Sequence, residues 1–294
     1  MIKARNAVRK LYNQSTMKIH VLHCGYIRIA KRLLDNGGRF STDIAKAMLV
    51  PDRERVTLPV SAYLIEHRAG TYLADTGWSR DISPDGVYDF KAACKVLPRH
   101  LAMLYHPFVP HGETVREQLD ERGVRPEEIK AVLITHFDAD HIAGLRSVSS
   151  AQRIIVPEDE AYWSVRTKYR MRQARELWET SGYERVFYRG HLLGPMNLAI
   201  DVTGDGSIMM VSLPGHTDGH AGVMVREGRK HVLIAADSAV SSYNWETLRP
   251  AGLGADTELQ KKTLRWIKKA ASDPDCISVL CSHDPDMQPQ TITI

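Results

Sequence analysis

The sequence predicts one α/β domain in which helices cover two β-sheets. Two β-rich stretches, at about 60–75 and 208–236, are each followed by segments with helical spacing, so strands and then helices occur twice. Short apolar runs bounded by turn residues fit buried strands. Because each sheet must bury one face against another layer, this order favours two sheets packed together and covered by helices.

Individual elements follow from periodicity and turn residues. Residues 60–65 and 71–75 flank the turn at 67–70, which is a hairpin signal. Residues 114–122 have helical spacing that ends at a glycine. Further strands are predicted at 131–134, 208–213, 221–225, 231–236 and 276–281, an amphipathic covering helix at 258–271, and helical spacing at 157–180.

Composition limits the class of protein. The 294 residues are 43% hydrophobic and 25% charged, which is typical of a globular protein in water. Apolar runs reach about six residues, against the roughly 18 to 20 that span a bilayer. The short apolar runs therefore lead us to expect no membrane partner. Because the cysteines form no C-x-x-C pair, we expect a reduced, cytoplasmic protein. The cysteines are Cys24, Cys94, Cys276 and Cys281.

Positive charge is concentrated at the amino terminus. The net charge is +4, and residues 1–34 hold eight Lys or Arg and no acid. We interpret residues 1–16 as a basic, poorly ordered leader and residues 17–294 as a single domain. The leader has no recognisable nucleic-acid motif, so no nucleic-acid partner is expected.

The segment 135–144 is the strongest functional signal. It places His136, Asp138, Asp140 and His141 within six positions, directly after the apolar run 131–134. Burying unpaired carboxylates at a strand end is unfavourable, whereas a divalent cation makes the same cluster favourable. The segment therefore predicts a metal-dependent enzyme.

Three more candidate ligands follow other apolar strands. His216 lies in a Pro-Gly-His-Thr-Asp-Gly-His stretch, Asp237 follows a second strand, and His283 a third. Loops that follow several strands commonly converge at one rim of a sheet scaffold. We expect these residues to join the first cluster, and expect His20, His23, His106 and His111 not to be ligands.

This set of motifs resembles the metallo-β-lactamase superfamily, and within it the N-acyl homoserine lactonase branch. The motifs occur in that family's order and approximate spacing over residues 17–290. The resemblance implies an αββα sandwich of two mixed sheets covered by helices. The matching stretches are Leu-Pro-Val-Ser-Ala-Tyr-Leu at 58–64, Leu-Ala-Asp-Thr-Gly at 73–77, Thr-His-Phe-Asp-Ala-Asp-His at 135–141, Pro-Gly-His-Thr-Asp-Gly-His at 214–220, Ala-Asp-Ser at 236–238 and Ser-His at 282–283.

The resemblance implies two divalent metal ions. Asp138 stands where the family usually has His, giving an H-x-D-x-D-H variant of its first motif. A carboxylate moves the preference from zinc toward manganese or iron, although zinc also binds carboxylate. Zinc is the first expectation, manganese and iron remain open, and so does a single ion. The implied ligands are His136, Asp138 and His216 for the first ion, Asp140, His141 and His283 for the second, and Asp237 as a bridge.

The implied activity is the opening of a lactone or related ester by a metal-bound hydroxide. Asp140 would also move the proton to the leaving group, and Asp75 and His220 would orient ligands. The branch uses a tyrosine three positions past the bridging aspartate. That position is Val240 here, so the role is missing or taken by Tyr243.

Other functions remain open on this scaffold. An iron-dependent oxidoreductase is compatible with the carboxylate of Asp138, and a phosphodiesterase is compatible with the basic leader. A non-catalytic binding protein would explain the departures at Asp138 and Val240. The expected partner is a small lactone or ester, and the oligomeric state is open, with a homodimer as one option.

Overall fold

The computed structural model describes residues 16–34, 40–166, 169, 173–179 and 182–294. The predicted basic leader lies outside these residues except for Thr16, so the division of the chain at residue 17 stays a prediction. Within the described residues, no helix combines the length and the apolar character needed to cross a membrane.

Among the described residues, one sheet has seven strands and contains most of the amino-terminal part of the fold. Its strands are β1 (Lys18–Ala30), β2 (Arg55–His67), β3 (Gly70–Ala74), β4 (Ile129–Leu133), β5 (Ile154–Pro157), β6 (Glu184–Val186) and β13 (Thr291–Thr293). Their order is β13-β1-β2-β3-β4-β5-β6. The contacts β3–β4, β4–β5 and β5–β6 are parallel and the others antiparallel, so the sheet is mixed.

The other sheet has six strands in the part of the chain that the structure describes. They are β7 (Arg189–Gly190), β8 (Leu198–Asp201), β9 (Ile208–Ser212), β10 (Ala221–Glu227), β11 (Lys230–Ile234) and β12 (Cys276–Leu280). Their order is β12-β11-β10-β9-β8-β7. The pair β11–β12 is parallel and the other pairs are antiparallel, so this sheet is also mixed.

Helices border both sheets. The predicted helix at 114–122 is confirmed, and its start is fixed by a capping box between Thr114 and Glu117. The predicted covering helix at 258–271 is also confirmed, with Asp256 as its N-cap. The described helices are α1 (Phe40–Met48), α2 (Phe90–Val96), α3 (Arg99–Tyr105), α4 (Val115–Glu121), α5 (Ala139–Ile142), α6 (Glu158–Ser164), α7 (Ser242–Thr247) and α8 (Thr257–Ala271).

Alternate residues on each strand face different layers, which makes the fold a sandwich. On β2, Tyr63 and Ile65 join an apolar cluster that includes residues of both sheets, while Ala62 and Leu64 join another with α4. On β10, Met224 packs with the apolar face of α8. Because a strand alternates its side chains, each sheet has one face toward the other sheet and one toward helices. The predicted αββα architecture is confirmed.

Two segments differ from the sequence prediction. The sequence predicted no element at Lys18–Ala30, which is a strand that pairs with β2 and β13. The helical spacing at 157–180 corresponds to the helix Glu158–Ser164 and a 3-10 turn at Arg175–Leu177 among the described residues. Tyr169, between them, is buried and donates to Asp218.

Arg55 ties the start of β2 to the ends of two helices. Its Nη1 donates to the carbonyls of Arg28 and Leu104 at 3.0 Å each. Its Nη2 donates to carbonyls at the ends of α1 and α3, where partial negative charge favours a cation. Those acceptors are Ala47 at 3.3 Å, Met48 at 3.1 Å and Met103 at 3.2 Å.

Candidate metal centre

The predicted ligands meet where four strands end. His136 and Asp138 lie in the loop between β4 and α5, and Asp140 and His141 lie in the first turn of α5. His216, Asp237 and His283 lie in the loops after β9, β11 and β12. All seven are buried. We call these seven residues the metal cluster.

The carboxylate of Asp237 is the centre of the metal cluster. Its Oδ1 lies 3.3 Å from Nε2 of His141. Its Oδ2 lies 3.3 Å from Nε2 of His283, 3.4 Å from Nε2 of His216 and 4.0 Å from Nε2 of His136. One carboxylate therefore faces four imidazoles from three segments of the chain, since His136 and His141 both follow β4.

Two groups of donors lie on either side of Asp237. In the first group, Asp138 Oδ2 is 3.1 Å from Nε2 of His216 and 3.5 Å from Nε2 of His136. In the second group, Asp140 Oδ2 is 3.3 Å from Nε2 of His283 and 3.9 Å from Nε2 of His141. Within each group the donor atoms lie within 4.8 Å of one another. The sequence prediction placed the same residues in the same two groups.

Buried acceptors fix the orientation of three histidines. Asp75 Oδ2 accepts from Nδ1 of His141 at 2.8 Å, and the Pro59 carbonyl accepts from Nδ1 of His283 at 2.7 Å. The Thr135 hydroxyl donates to Asp75 at 2.8 Å, so it accepts from Nδ1 of His136 at 2.9 Å. Each Nδ1 therefore carries the proton, and each Nε2 lone pair points into the cluster.

The donor set fits divalent metal ions. Among the described residues, Nε2 of His136, Nε2 of His141 and Oδ1 of Asp237 are buried without a hydrogen-bond partner. Such atoms are unfavourable unless something binds them. Imidazole nitrogens and carboxylate oxygens are common ligands of zinc, and imidazoles whose other nitrogen is fixed are typical of metal sites. The residues of the metal cluster therefore fit the binding of divalent metal ions.

Charge within the metal cluster supports this fit. Burial disfavours the protonated form of His283, yet the carboxylates of Asp237 and Asp140 raise its pKa to about 10. Burial likewise opposes protonation of His141, but Asp237, Asp75 and Asp140 hold its pKa well above the ordinary value. The carboxylates thus favour positive charge at these nitrogens, and bound cations would supply that charge in place of protons.

Asp75 bonds one ring of the second group, that of His141. Besides its bond to His141, its Oδ1 accepts from the backbone N–H of Thr135 at 2.9 Å. Asp75 has a φ of 57°, a left-handed conformation that is uncommon outside glycine. Its backbone N–H donates to the carbonyl of Leu133 at the end of β4. The unusual conformation therefore occurs at the ends of the parallel strands β3 and β4, next to the metal cluster.

His220 does not act as predicted. Its Nδ1 bonds the hydroxyl of Ser238 at 2.9 Å instead of orienting a ligand ring through a hydrogen bond. Burial, together with the neighbouring His136 and His216, holds its pKa well below the ordinary value. Because the Ser238 hydroxyl also donates to Leu213, neutral His220 supports the backbone beside Asp237.

A cavity of about 550 Å³ opens beside His283, and Tyr243 lines it. Tyr243 is 41% exposed, and its hydroxyl accepts from Nη1 of Arg249 at 3.1 Å. Val240, which stands at the position where the lactonase branch has its tyrosine, lines the same cavity as Tyr243. Other lining residues are Leu34, Val56 and Leu58.

Glu160 is a residue of this region that sequence reasoning missed. It lies on α6, is 1% exposed, and accepts from the backbone N–H of Phe137 at 3.0 Å and from the hydroxyl of Thr217 at 2.6 Å. Its neighbours in sequence, Glu158 and Asp159, are also acidic, so the local pattern reads as a solvated charged face.

The histidines predicted not to be ligands have other places. His20 bonds Thr291 and Glu66 on the sheet surface, and His106 stacks on the ring of Tyr88. Among the described residues, the groups able to hold a metal ion include neither of them, nor His23 or His111.

The fold and the metal cluster together identify the class of protein. The family model described as "Metallo-beta-lactamase superfamily" matches residues 55–283, which is more than half of the chain. The chain belongs to the metallo-beta-lactamase superfamily. The predicted resemblance and fold class are confirmed.

Curated relatives and solved structures agree with this assignment. The N-acyl homoserine lactonase AttM of Agrobacterium fabrum is 26% identical over 235 residues, covering 78% of this chain and 83% of that protein. A probable metallo-hydrolase of Mycobacterium tuberculosis is 27% identical over 256 residues, covering 79% and 76%.

A solved structure of an N-acyl homoserine lactone hydrolase, with the product N-hexanoyl-L-homoserine at its catalytic metal center, has a TM-score of 0.70. It is 18% identical and covers 92% of this chain and 94% of that chain, so it supports the fold. The lactonase and metallo-hydrolase relatives confirm the predicted class of enzyme, a metal-dependent hydrolase acting on ester bonds.

Proposed function

We propose that the protein opens a lactone, of the N-acyl homoserine lactone type, or a related ester. One observation carries the proposal: the Asp237 carboxylate faces Nε2 of four histidines beside the cavity that His283 and Tyr243 line. A shared carboxylate between two groups of donors is the arrangement that a binuclear hydrolytic centre requires. The lactonase names of several relatives support the choice of substrate class.

The first group would hold one ion, the second group the other, and Asp237 would bridge them. Such ions, when bound, lower the pKa of a shared water and polarise the carbonyl that it attacks. The chain's own residues would position the ligands and exclude bulk water. The hydrogen bonds to Asp75, Thr135 and Pro59 keep the histidine rings in place, and the buried position of the cluster limits access of bulk water.

Asp140 is the proposed proton carrier. Its Oδ2 lies 3.3 Å from Nε2 of His283, and His283 lines the cavity proposed for the substrate. A carboxylate at such a place can take the proton from the attacking water and give it to the leaving alkoxide. Asp140 would therefore serve both as a ligand and as an acid–base group.

Tyr243 is the proposed support for the substrate carbonyl. Its phenol lines the cavity, and its partial exposure leaves the hydroxyl able to turn toward a ligand. The apolar side chains of Val56, Leu58 and Val240 line the same cavity and would bury an aliphatic acyl chain. The preferred substrate is thus a small apolar lactone.

We propose zinc in both positions, with manganese or iron as alternatives because Asp138 adds an oxygen donor. Asp138 gives the first group two imidazoles and one carboxylate, the same donor types as the second group. A cytoplasmic location remains our proposal, supported by four free cysteines, of which Cys24 and Cys281 are buried.

The test is ring opening of a lactone panel, including acyl homoserine lactones, by metal-free protein reloaded with zinc, manganese or iron. We expect turnover that depends on added metal and rises with acyl-chain length until the cavity is full. Binding of two ions without turnover of any lactone or ester would overturn the proposal. Oxygen consumption by the iron form, or cleavage of a generic phosphodiester, would then point to the oxidoreductase or the phosphodiesterase.

A further inference from the structure

Helix α6 lies in backbone contact with the loop that carries His216. A Cβ added to Gly219 would lie 2.1 Å from the backbone nitrogen of Glu160 and 2.3 Å from its Cα. Real Cβ atoms do not approach backbone so closely, so only glycine permits this contact. The approach brings the side chain of Glu160 between two loops of the metal cluster.

The carboxylate of Glu160 joins those two loops. Its Oε1 accepts from the N–H of Phe137 at 3.0 Å, and its Oε2 accepts from the hydroxyl of Thr217 at 2.6 Å. Phe137 directly follows His136 and Thr217 directly follows His216. Gln173 adds a weaker bond to Oε1 at 3.5 Å. One buried side chain therefore fixes the residue next to each histidine of the first group.

The second group is held by other means. Nδ1 of His141 donates to Asp75, and Nδ1 of His283 donates to the carbonyl of Pro59. Neither acceptor contacts Glu160 through a hydrogen bond within the described residues. Asp75 is linked to both groups, because Thr135 joins it to His136. Glu160 instead bonds only the loops of the first group, so loss of Glu160 should affect the first group alone.

A buried carboxylate is unfavourable unless its bonds are kept. Burial raises the pKa of Glu160, against the opposing effects of His136 and of the Thr217 bond. The bonds to Phe137 and Thr217 run from α6 to the two ligand loops, and neither is a bond within α6. The side chain therefore positions the loops of the metal cluster and forms none of these hydrogen bonds within its own helix.

We infer that Glu160 is a positioning residue for the first metal position, acting through Phe137 and Thr217 on His136 and His216. The inference rests on the proposed metal-dependent function. Loss of an outer hydrogen bond to a metal ligand typically lowers metal affinity about 10- to 100-fold. Glu160 should thus set the affinity for one ion and leave the other unchanged.

The experiment measures both zinc affinities of the metal-free protein by competition with a chromogenic chelator. In Glu160→Gln we expect one affinity to fall about 10- to 100-fold and the other to stay as in the wild type. The control is Glu158→Gln on the same helix, whose carboxylate pairs with Arg185 away from the ligand loops. The control should keep both affinities.

Two further backgrounds assign the affected position. In the His283→Ala background the first metal position is intact, so adding Glu160→Gln should still weaken metal binding at that position. In the His216→Ala background the second position is intact, so adding Glu160→Gln should have no further effect. Thr217→Val removes the hydroxyl that donates to Glu160, whereas Thr217→Ser keeps it. Only the valine variant should reproduce the loss of metal affinity. This pair decides the question if Glu160→Gln does not fold.

The outcomes separate the inference from the proposed function. If the wild type binds no metal, the proposed function fails. If the wild type binds two ions and Glu160→Gln matches it, the inference alone is overturned. An equal loss at both positions would also overturn it, because Glu160 would then support the fold as a whole.

Discussion

The metal cluster and the wall of the adjoining cavity are held in different ways. In the cluster, His136, His141 and His283 each have Nδ1 fixed by a buried acceptor. On the wall, Tyr243 is 41% exposed and its hydroxyl contacts the surface residue Arg249. The scaffold therefore fixes the groups that would bind metal, whereas the group that would face the substrate stays adjustable. Changes in the cluster should abolish turnover, and changes in the wall should alter it moderately.

The largest effect is expected from Asp237→Ala. This change removes the carboxylate that faces four imidazoles and leaves them to repel one another when protonated. We expect loss of both bound ions by elemental analysis and no detectable lactone turnover. Asp286→Ala, at an exposed position, should retain both ions. A variant that kept two ions would contradict the bridging position of Asp237.

Asp140→Asn should remove turnover while leaving the fold intact. Loss of an acid–base group lowers rates by about 100- to 10,000-fold, and the amide also weakens the second position. We expect an unchanged circular dichroism spectrum and retention of the first ion. Near-normal turnover would eliminate the proposed proton carrier.

Asp75→Asn should have an intermediate effect. The amide cannot accept from His141, Thr135 Oγ1 and Thr135 N together, so one donor is left without its partner. We expect zinc affinity to fall about 10- to 100-fold, measured by chelator competition. Asp81→Asn, an exposed control, should bind zinc normally. Unchanged affinity would mean that the backbone alone positions His141.

Tyr243→Phe should have the smallest effect. One hydrogen bond contributes on the order of 1 kcal/mol, which corresponds to about a 5-fold loss of kcat/KM. Zinc content should not change, and Tyr162→Phe, at another exposed position, should be silent. Equal kinetics for wild type and Tyr243→Phe would establish that no tyrosine supports the substrate carbonyl. That is the alternative that remains because Val240 stands at the position of the branch's tyrosine.

Prediction from sequence worked where the signal was local. His136 to His141 form a cluster within six positions, and His216, Asp237 and His283 each follow an apolar strand. Strand ends that converge at one rim are a general property of sheets, so their meeting at one place could be expected before the structure.

Long-range contacts carried no such signal. Glu160 lies 23 positions from Phe137 and 57 from Thr217, and nothing in its acidic surroundings predicts a buried acceptor. The strand Lys18–Ala30 alternates buried and less buried residues over its first four positions, but its basic side chains obscured that pattern. The role of His220 was also invisible, because its partner Ser238 comes from another loop.

Arg55 has a consequence for redesigning the cavity. Its two terminal nitrogens satisfy five carbonyls from three chain segments, directly before Val56, whose side chain lines the cavity. Lysine has one nitrogen with three donors and cannot replace this planar fork. A library aimed at the proposed acyl-chain cavity can therefore vary Val56, provided that the arginine which anchors its strand is left constant.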